Sequence, residues 1–108
     1  MTSVWRVIVT PRAAADLADA HAWFHARNPR AATDWLTNLR ETVLGLAVMP
    51  QAHPLAPESD AFDIEVRRAL YRHGTPWSIY FTLDVATDTV HVLHIRHGSR
   101  SPWVGETD

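Results

Sequence analysis

Apolar and polar positions alternate in three distinct rhythms along the chain, and each predicts a different element. Val4, Trp5, Val7, Ile8 and Val9, broken only by Arg6, form a β-branched run that predicts a strand. Thr10-Pro11 then supplies a helix cap followed by a proline suited to the first helical turn. A helix is expected from Pro11 to about Arg27. Ala14, Leu17, His21 and Phe24 recur at spacings of three and four, with Ala13, Ala20 and Trp23 beside them. Arg12, Asp16 and Asp19 mark its wet side. Asn28-Pro29 repeats the cap-and-proline signal and predicts a second helix from Pro29 to about Val48. Its apolar stripe is Ala32, Trp35, Leu36, Leu39, Val43 and Leu46. The join is too short for anything but an antiparallel helical hairpin. Gly45 lowers helix propensity by up to ~1 kcal/mol, so the last turn is expected to fray.

Pro50, Pro54 and Pro57 sit among small and polar residues and mark residues 50–61 as a loop. Alternation resumes from Phe62 to Tyr71, where Ile64, Val66 and Leu70 oppose Glu65, Arg67 and Ala69. After a turn at His73-Gly74-Thr75-Pro76, Trp77, Ile79, Phe81 and Leu83 face one way and Ser78, Tyr80 and Thr82 the other. Asp84 to Asp88 make a hairpin turn. In the last strand, Thr89 to Arg96, Val90 and Val92 line one face and Leu93 and Ile95 the opposite one. A strand apolar on both faces is usually central, and the N-terminal strand is its natural second partner. The expected fold class is α+β: a strand, an antiparallel helical hairpin, then a three-stranded antiparallel sheet.

The 108 residues fit one domain spanning 1–108. With no cysteine, disulfides and Cys-based zinc sites are excluded. No apolar run approaches the ~20 residues of a membrane span, and MTSVWRVIVT is too short for a signal peptide. A cytoplasmic location without membrane partners is expected. Charge changes the picture more than composition does. Residues 1–65 carry five arginines against eight carboxylates, whereas residues 66–101 carry five against two, with His73, His91, His94 and His97 among them. Every basic residue is arginine, whose rigid fork of donors suits phosphate and carboxylate.

That C-terminal cluster suggests chemistry on a phosphodiester. A histidine can move a proton and an arginine can hold developing charge. Attack of a ribose 2′-hydroxyl on its own phosphate needs those roles and no metal. His97 with Arg67 or Arg100 could supply them, with Glu58 or Glu65 as the complementary base. Tyr80 is either a packing residue or part of such a site. Alternation puts His94 and Arg96 on one face and His97 near the other, and Arg67 and Arg68 also face opposite ways. The alternative reading makes the arginines solvated strand-end residues paired with acids, and His94 a hydrogen-bonded core residue. His94 and His97, three apart on a strand, do not share a face, so neither a metal nor another cofactor is expected. Trp5, Trp23, Trp35 and Trp103 exceed what a small core needs and suggest anchors for a partner segment.

Several stretches resemble the RelE/ParE superfamily of toxins from type II toxin–antitoxin pairs. Val9-Thr10-Pro11-Arg12-Ala13-Ala14-Ala15-Asp16-Leu17 is similar to the family's first strand and helix start. Ala31-Ala32-Thr33-Asp34-Trp35-Leu36, with Leu39 and Leu46, resembles its second helix. Val66-Arg67 and Ile79-Tyr80-Phe81 resemble its middle strands. The most specific piece is Val92-Leu93-His94-Ile95-Arg96-His97-Gly98-Ser99-Arg100, close to the family's terminal histidine-glycine-x-arginine signature. The resemblance implies a growth-inhibiting toxin neutralised by a cognate antitoxin. Its target would be either ribosome-bound mRNA, cut by a metal-independent endoribonuclease, or DNA gyrase. It also implies functional roles for Arg67, His97 and Arg100. One departure weakens the nuclease branch, because the family's third strand commonly has an arginine where this chain has Ser78. A non-catalytic module acting mainly within a toxin–antitoxin complex, as a dimer or a heterotetramer, is the other expectation.

Overall fold

A computed structural model describes residues 4–71 and 76–98. Arg100, Trp103 and residues 73–75 of the expected turn lie outside them. Strand β1 (Arg6–Val9) leads into helix α1 (Pro11–His25) and helix α2 (Pro29–Leu44). Strands β2 (Arg67–Tyr71), β3 (Trp77–Asp84) and β4 (Thr89–His97) follow a long connection. Both helices start where their caps predict. The Thr10 hydroxyl accepts from Ala13 N at 3.3 Å and the Asn28 side chain from Ala31 N at 3.2 Å. Helix α2 stops short of Val48 and finishes as a 3₁₀ turn over Gly45–Ala47. No helix among the described residues is long and apolar enough to cross a membrane.

The four strands form one sheet in the order β1-β4-β3-β2. As expected, β2, β3 and β4 are antiparallel and β4 is central with β1 at its side; the β1–β4 pair is parallel, so the four-stranded sheet is mixed. The direction follows from the hairpin. α1 continues past the end of β1, and α2 brings the chain back to where β1 began. There Trp5 N donates to Ala47 O at 2.8 Å and Val4 bridges Val48. So β2 leaves in the direction of β1, and two reversals later β4 shares it.

The hairpin covers one face. Ala13, Leu17, Ala20 and Phe24 of α1 and Trp35, Leu39, Val43 and Leu46 beyond them meet Ala69, Tyr71, Trp77, Ile79, Phe81, Val90, Val92 and Ile95. Phe24, Trp35 and Trp77 form an aromatic cluster with centroids 5.1 to 6.3 Å apart. Three expectations change here. Ala14 is exposed, and Trp23 is 54% exposed, so the α1 stripe runs through Ala13 instead. Ile95 packs with Val90 and Val92 rather than opposite them. A bulge between Tyr80 and Phe81 pairs those residues with His94 and Val92, leaving Leu93 without a partner on β3. One extra residue resets the alternation.

The third change is at β2, which begins at Arg67 rather than Phe62. Residues 55–66 instead fold as a compact loop over the other face. Ala56 N donates to Val66 O at 2.7 Å and Val66 N to the Ser59 hydroxyl at 2.9 Å. Ala56 and Val66 enclose Tyr80, with Phe62 and Leu93 beside them.

Thr10 holds the junction of helix and bulge. Its amide and hydroxyl both donate to Val92 O, at 3.1 and 2.7 Å. Thr10→Ala removes a cap and a hydrogen bond together and should cost about 2 kcal/mol, measured by urea unfolding. A loss under about 0.5 kcal/mol would show that the junction is not held this way.

Candidate functional site: a polar row on the hairpin-free face

Directly opposed residues in an antiparallel pair point to the same face. Arg68 opposes Tyr80, and Tyr80 opposes His94. These three therefore form one row across β2, β3 and β4 on the face away from the helices. Leu70, Ser78 and Arg96 form the next row. The row continues past the sheet. Beyond Val92, β4 has lost β1 as a neighbour, and Asp16 of α1 takes its place. Asp16 Oδ2 accepts the Ile95 amide at 3.0 Å and also contacts His94 Nδ1. Its other oxygen receives Arg12 Nε at 3.4 Å.

The hydrogen bonds define the state of His94. Arg96 Nη1 lies 3.2 Å from His94 Nε2. A guanidinium can only donate, so Nε2 accepts and the ring proton sits on Nδ1, donated to Asp16. Both ring nitrogens are thus engaged. His94 is 2% exposed and Arg96 5%. The imidazole stacks at 25° on the Tyr80 ring, 6.3 Å away.

Tyr80 is also buried, and its hydroxyl donates to Glu58 Oε2 at 2.5 Å. Burial pushes the phenol pKa up, and the adjacent Glu58 carboxylate raises it further, against smaller opposing effects of Ser78 and Arg68. Tyr80 therefore stays a protonated donor across the neutral range. Glu58 reaches it from the compact 55–66 loop, at the N-cap of the 3₁₀ turn Ser59–Ala61.

The residues expected to act together separate into two groups. Tyr80 and Glu58 are in contact. Arg67 points to the helix-covered face, where its Nη1 donates to His53 O at 2.7 Å and Gln51 O at 3.3 Å. His97 opposes Trp77 on that same face and meets its ring edge-on at 5.2 Å. Arg67 lies in register with Phe81 and His97 with Trp77, two strands apart. Strand geometry separates them by about 16 Å. Arg67 and His97 therefore do not meet at one phosphate-sized spot. His94 and His97 occupy opposite faces, as their spacing requires.

Asp16 is the member that sequence reasoning placed wrongly. It sits on the expected polar side of α1, yet only 15% of its side chain is exposed. No periodicity could report this, because its partners are 78 and 79 positions away. Gly98 follows β4 for a physical reason. Its amide donates to Pro76 O at 2.8 Å, and a Cβ there would lie 3.0 Å from that oxygen.

A helical hairpin on one face of a mixed β1-β4-β3-β2 sheet matches the α+β fold of RelE/ParE-type proteins. More narrowly, the chain belongs to the family of ParE toxins of type II toxin–antitoxin (parDE) systems, whose model matches residues 7–102. Two solved structures share the fold. The chromosomal ParDE toxin–antitoxin system from P. aeruginosa contains a chain with TM-score 0.69 and 20% identity, covering 87% of this chain and 96% of that one. The RelBE2 toxin–antitoxin complex from Mycobacterium tuberculosis contains one with TM-score 0.57 and 24% identity, covering 91% and 95%. No curated protein matches the sequence significantly.

Proposed function

We propose that this protein is a growth-inhibiting toxin, neutralised by a cognate antitoxin, that acts by binding DNA gyrase rather than by cutting mRNA. The observation that carries this reading is the separation of the two candidate residues: His97 lies in register with Trp77 and Arg67 with Phe81, two strands apart. A proton-transferring histidine and the arginine that holds the phosphate must reach the same group, and His94, on the opposite face, has both ring nitrogens engaged by Asp16 and Arg96. Ser78, 7% exposed, offers no charge to a phosphate at the position where nuclease relatives are expected to carry arginine. In this reading Arg67 positions the loop through His53 O and Gln51 O. Arg100, which carries the terminal sequence signature, supplies a cation to the target.

The endoribonuclease reading keeps one specific support. Tyr80, Glu58 and Arg68 meet on one face, and a neutral phenol beside a carboxylate is a plausible acid–base pair. The two readings separate cleanly. Toxin expressed without antitoxin should trap gyrase-linked DNA breaks and leave mRNA ends unchanged. Under the same conditions Tyr80→Phe should keep the DNA breaks within about twofold of wild type, allowing for a stability cost of about 1 kcal/mol. New mRNA ends that vanish in Tyr80→Phe, with no trapped breaks, would replace gyrase by mRNA as the target.

A further inference from the structure

Two histidines on α1 take no part in the polar row or in the proposed target contact. His21 and His25 are four residues apart, so they stand one turn apart on one face of the helix. Spacing places His21 with the apolar stripe of α1, but it is only half-buried, and His25 is exposed. Their ring centroids lie 5.8 Å apart, with the planes inclined at 46°. Two imidazoles sharing one ion, with metal–nitrogen distances of about 2.0–2.1 Å, have centroids about 5 Å apart. The pair is therefore a small side-chain rotation away from a chelating geometry.

We infer that His21 and His25 form a bidentate site for a divalent transition-metal ion of the kind imidazole favours, copper(II) first and zinc(II) after it. The ring nitrogens are available. Among the described residues neither ring has a hydrogen-bond or ion-pair partner, whereas both nitrogens of His94 are engaged. The frame beneath them is rigid. Phe24 is fixed in the core by Trp35 and Trp77, and the amides of Ala26, Arg27 and Asn28 close the helix end on Ala22 O and Phe24 O. Little ordering is then left for the ion to impose.

The local charge also suits a cation. No charged residue stands three or four positions from either histidine. Arg27 is held over the Trp23 ring, 3.7 Å from its centroid. At about 100° per residue, Trp23 lies about 160° around the helix from each histidine, so that guanidinium is turned away from them. His25 is the last residue of α1, where the helix dipole favours positive charge.

Two nitrogens do not fill a coordination shell, and no group of three or more metal-ligating side chains occurs among the described residues. The remaining positions fall to water, so the ion exchanges freely and the fold does not depend on it. The site is independent of the gyrase reading, because it lies on the last turns of α1 and not on the polar row.

The test is calorimetric titration of the untagged full chain with copper(II) chloride and, separately, zinc(II) chloride. One ion per chain should bind, copper more tightly than zinc. His21→Ala and His25→Ala should each weaken copper by about tenfold or more. Melting without metal should be unchanged, as expected for residues outside the core. If His21→Ala melts early, the exposed His25 carries the test alone. Adding Ala22→His to His25→Ala restores the number of histidines but not their spacing, and it should bind no better than His25→Ala. Absence of copper binding below about 1 mM overturns the proposal. So does binding that His25→Ala leaves within about twofold, which would put the ion on other histidines, or full recovery in the Ala22→His variant. Because none of these readouts measures gyrase, their outcome is separate from that of the toxicity experiments.

Discussion

Asp16→Ala is expected to lower the unfolding free energy by about 3 kcal/mol, although the residue lies on what the sequence marks as the polar side of a helix. The carboxylate satisfies two donors at once, the Ile95 amide at 3.0 Å and the Nδ1 proton of a His94 ring that is 2% exposed. Removing it leaves both without an acceptor where water does not readily reach, and unsatisfied buried donors cost about 1–3 kcal/mol each. Asp16→Asn retains one acceptor oxygen and should lose roughly half as much. The exposed Asp19 provides the control, with Asp19→Ala staying within about 0.5 kcal/mol of wild type. Urea unfolding measures the energies, and hydrogen exchange at the Ile95 amide reports the local event. If Asp16→Ala matches Asp19→Ala in stability and Ile95 stays protected, the carboxylate is not the staple of the sheet edge.

Phe81→Ala should be still more damaging, at about 4 kcal/mol. Phe81 is fully buried on β3, between Arg67 on β2 and Val92 on β4, and the His53 ring meets it edge-on at 5.8 Å. Truncation would open a cavity beneath the hairpin that the surrounding strands, tied on both sides, cannot collapse to fill. Against a typical domain stability of about 5–15 kcal/mol, the loss should appear as a fall in melting temperature of about 15–25 °C. Phe81→Leu keeps most of the volume and should cost about 1–2 kcal/mol. A small effect of the alanine variant, below about 1 kcal/mol, would mean that the core is centred elsewhere. Toxicity should fall with abundance in the alanine variant, which separates it from a binding-site variant that melts normally.

Much of the fold is written in short-range signals. Thr10-Pro11 and Asn28-Pro29 are local devices, and they start both helices at the expected residues. The stripe Ala32, Trp35, Leu39 and Val43 is buried as its spacing requires. The last strand is central and β1 is its neighbour, as expected, although Ile95 shares the face of Val90 and Val92 and the other face carries His94 and Arg96. The candidate site is less legible. Alternation correctly separates His94 and Arg96 from His97, and Arg68 from Arg67, but it cannot say which face the helices cover. The expectation that Arg67 and His97 work together therefore put them on a shared open surface, where the structure has both facing the hairpin side and well apart.

By itself, then, the sequence determined the helices, their caps, the number of strands and the family, because each depends on neighbours within a turn or a strand. Only the tertiary structure decided the parallel direction of β1, the bulge at Leu93 that carries Ile95 into the core, and the Asp16–His94–Arg96 chain. The physical reason is the same in each case. These features satisfy hydrogen bonds and fill space between separate elements, from neighbouring strands up to partners 79 residues apart, where no local pattern records which partner will arrive.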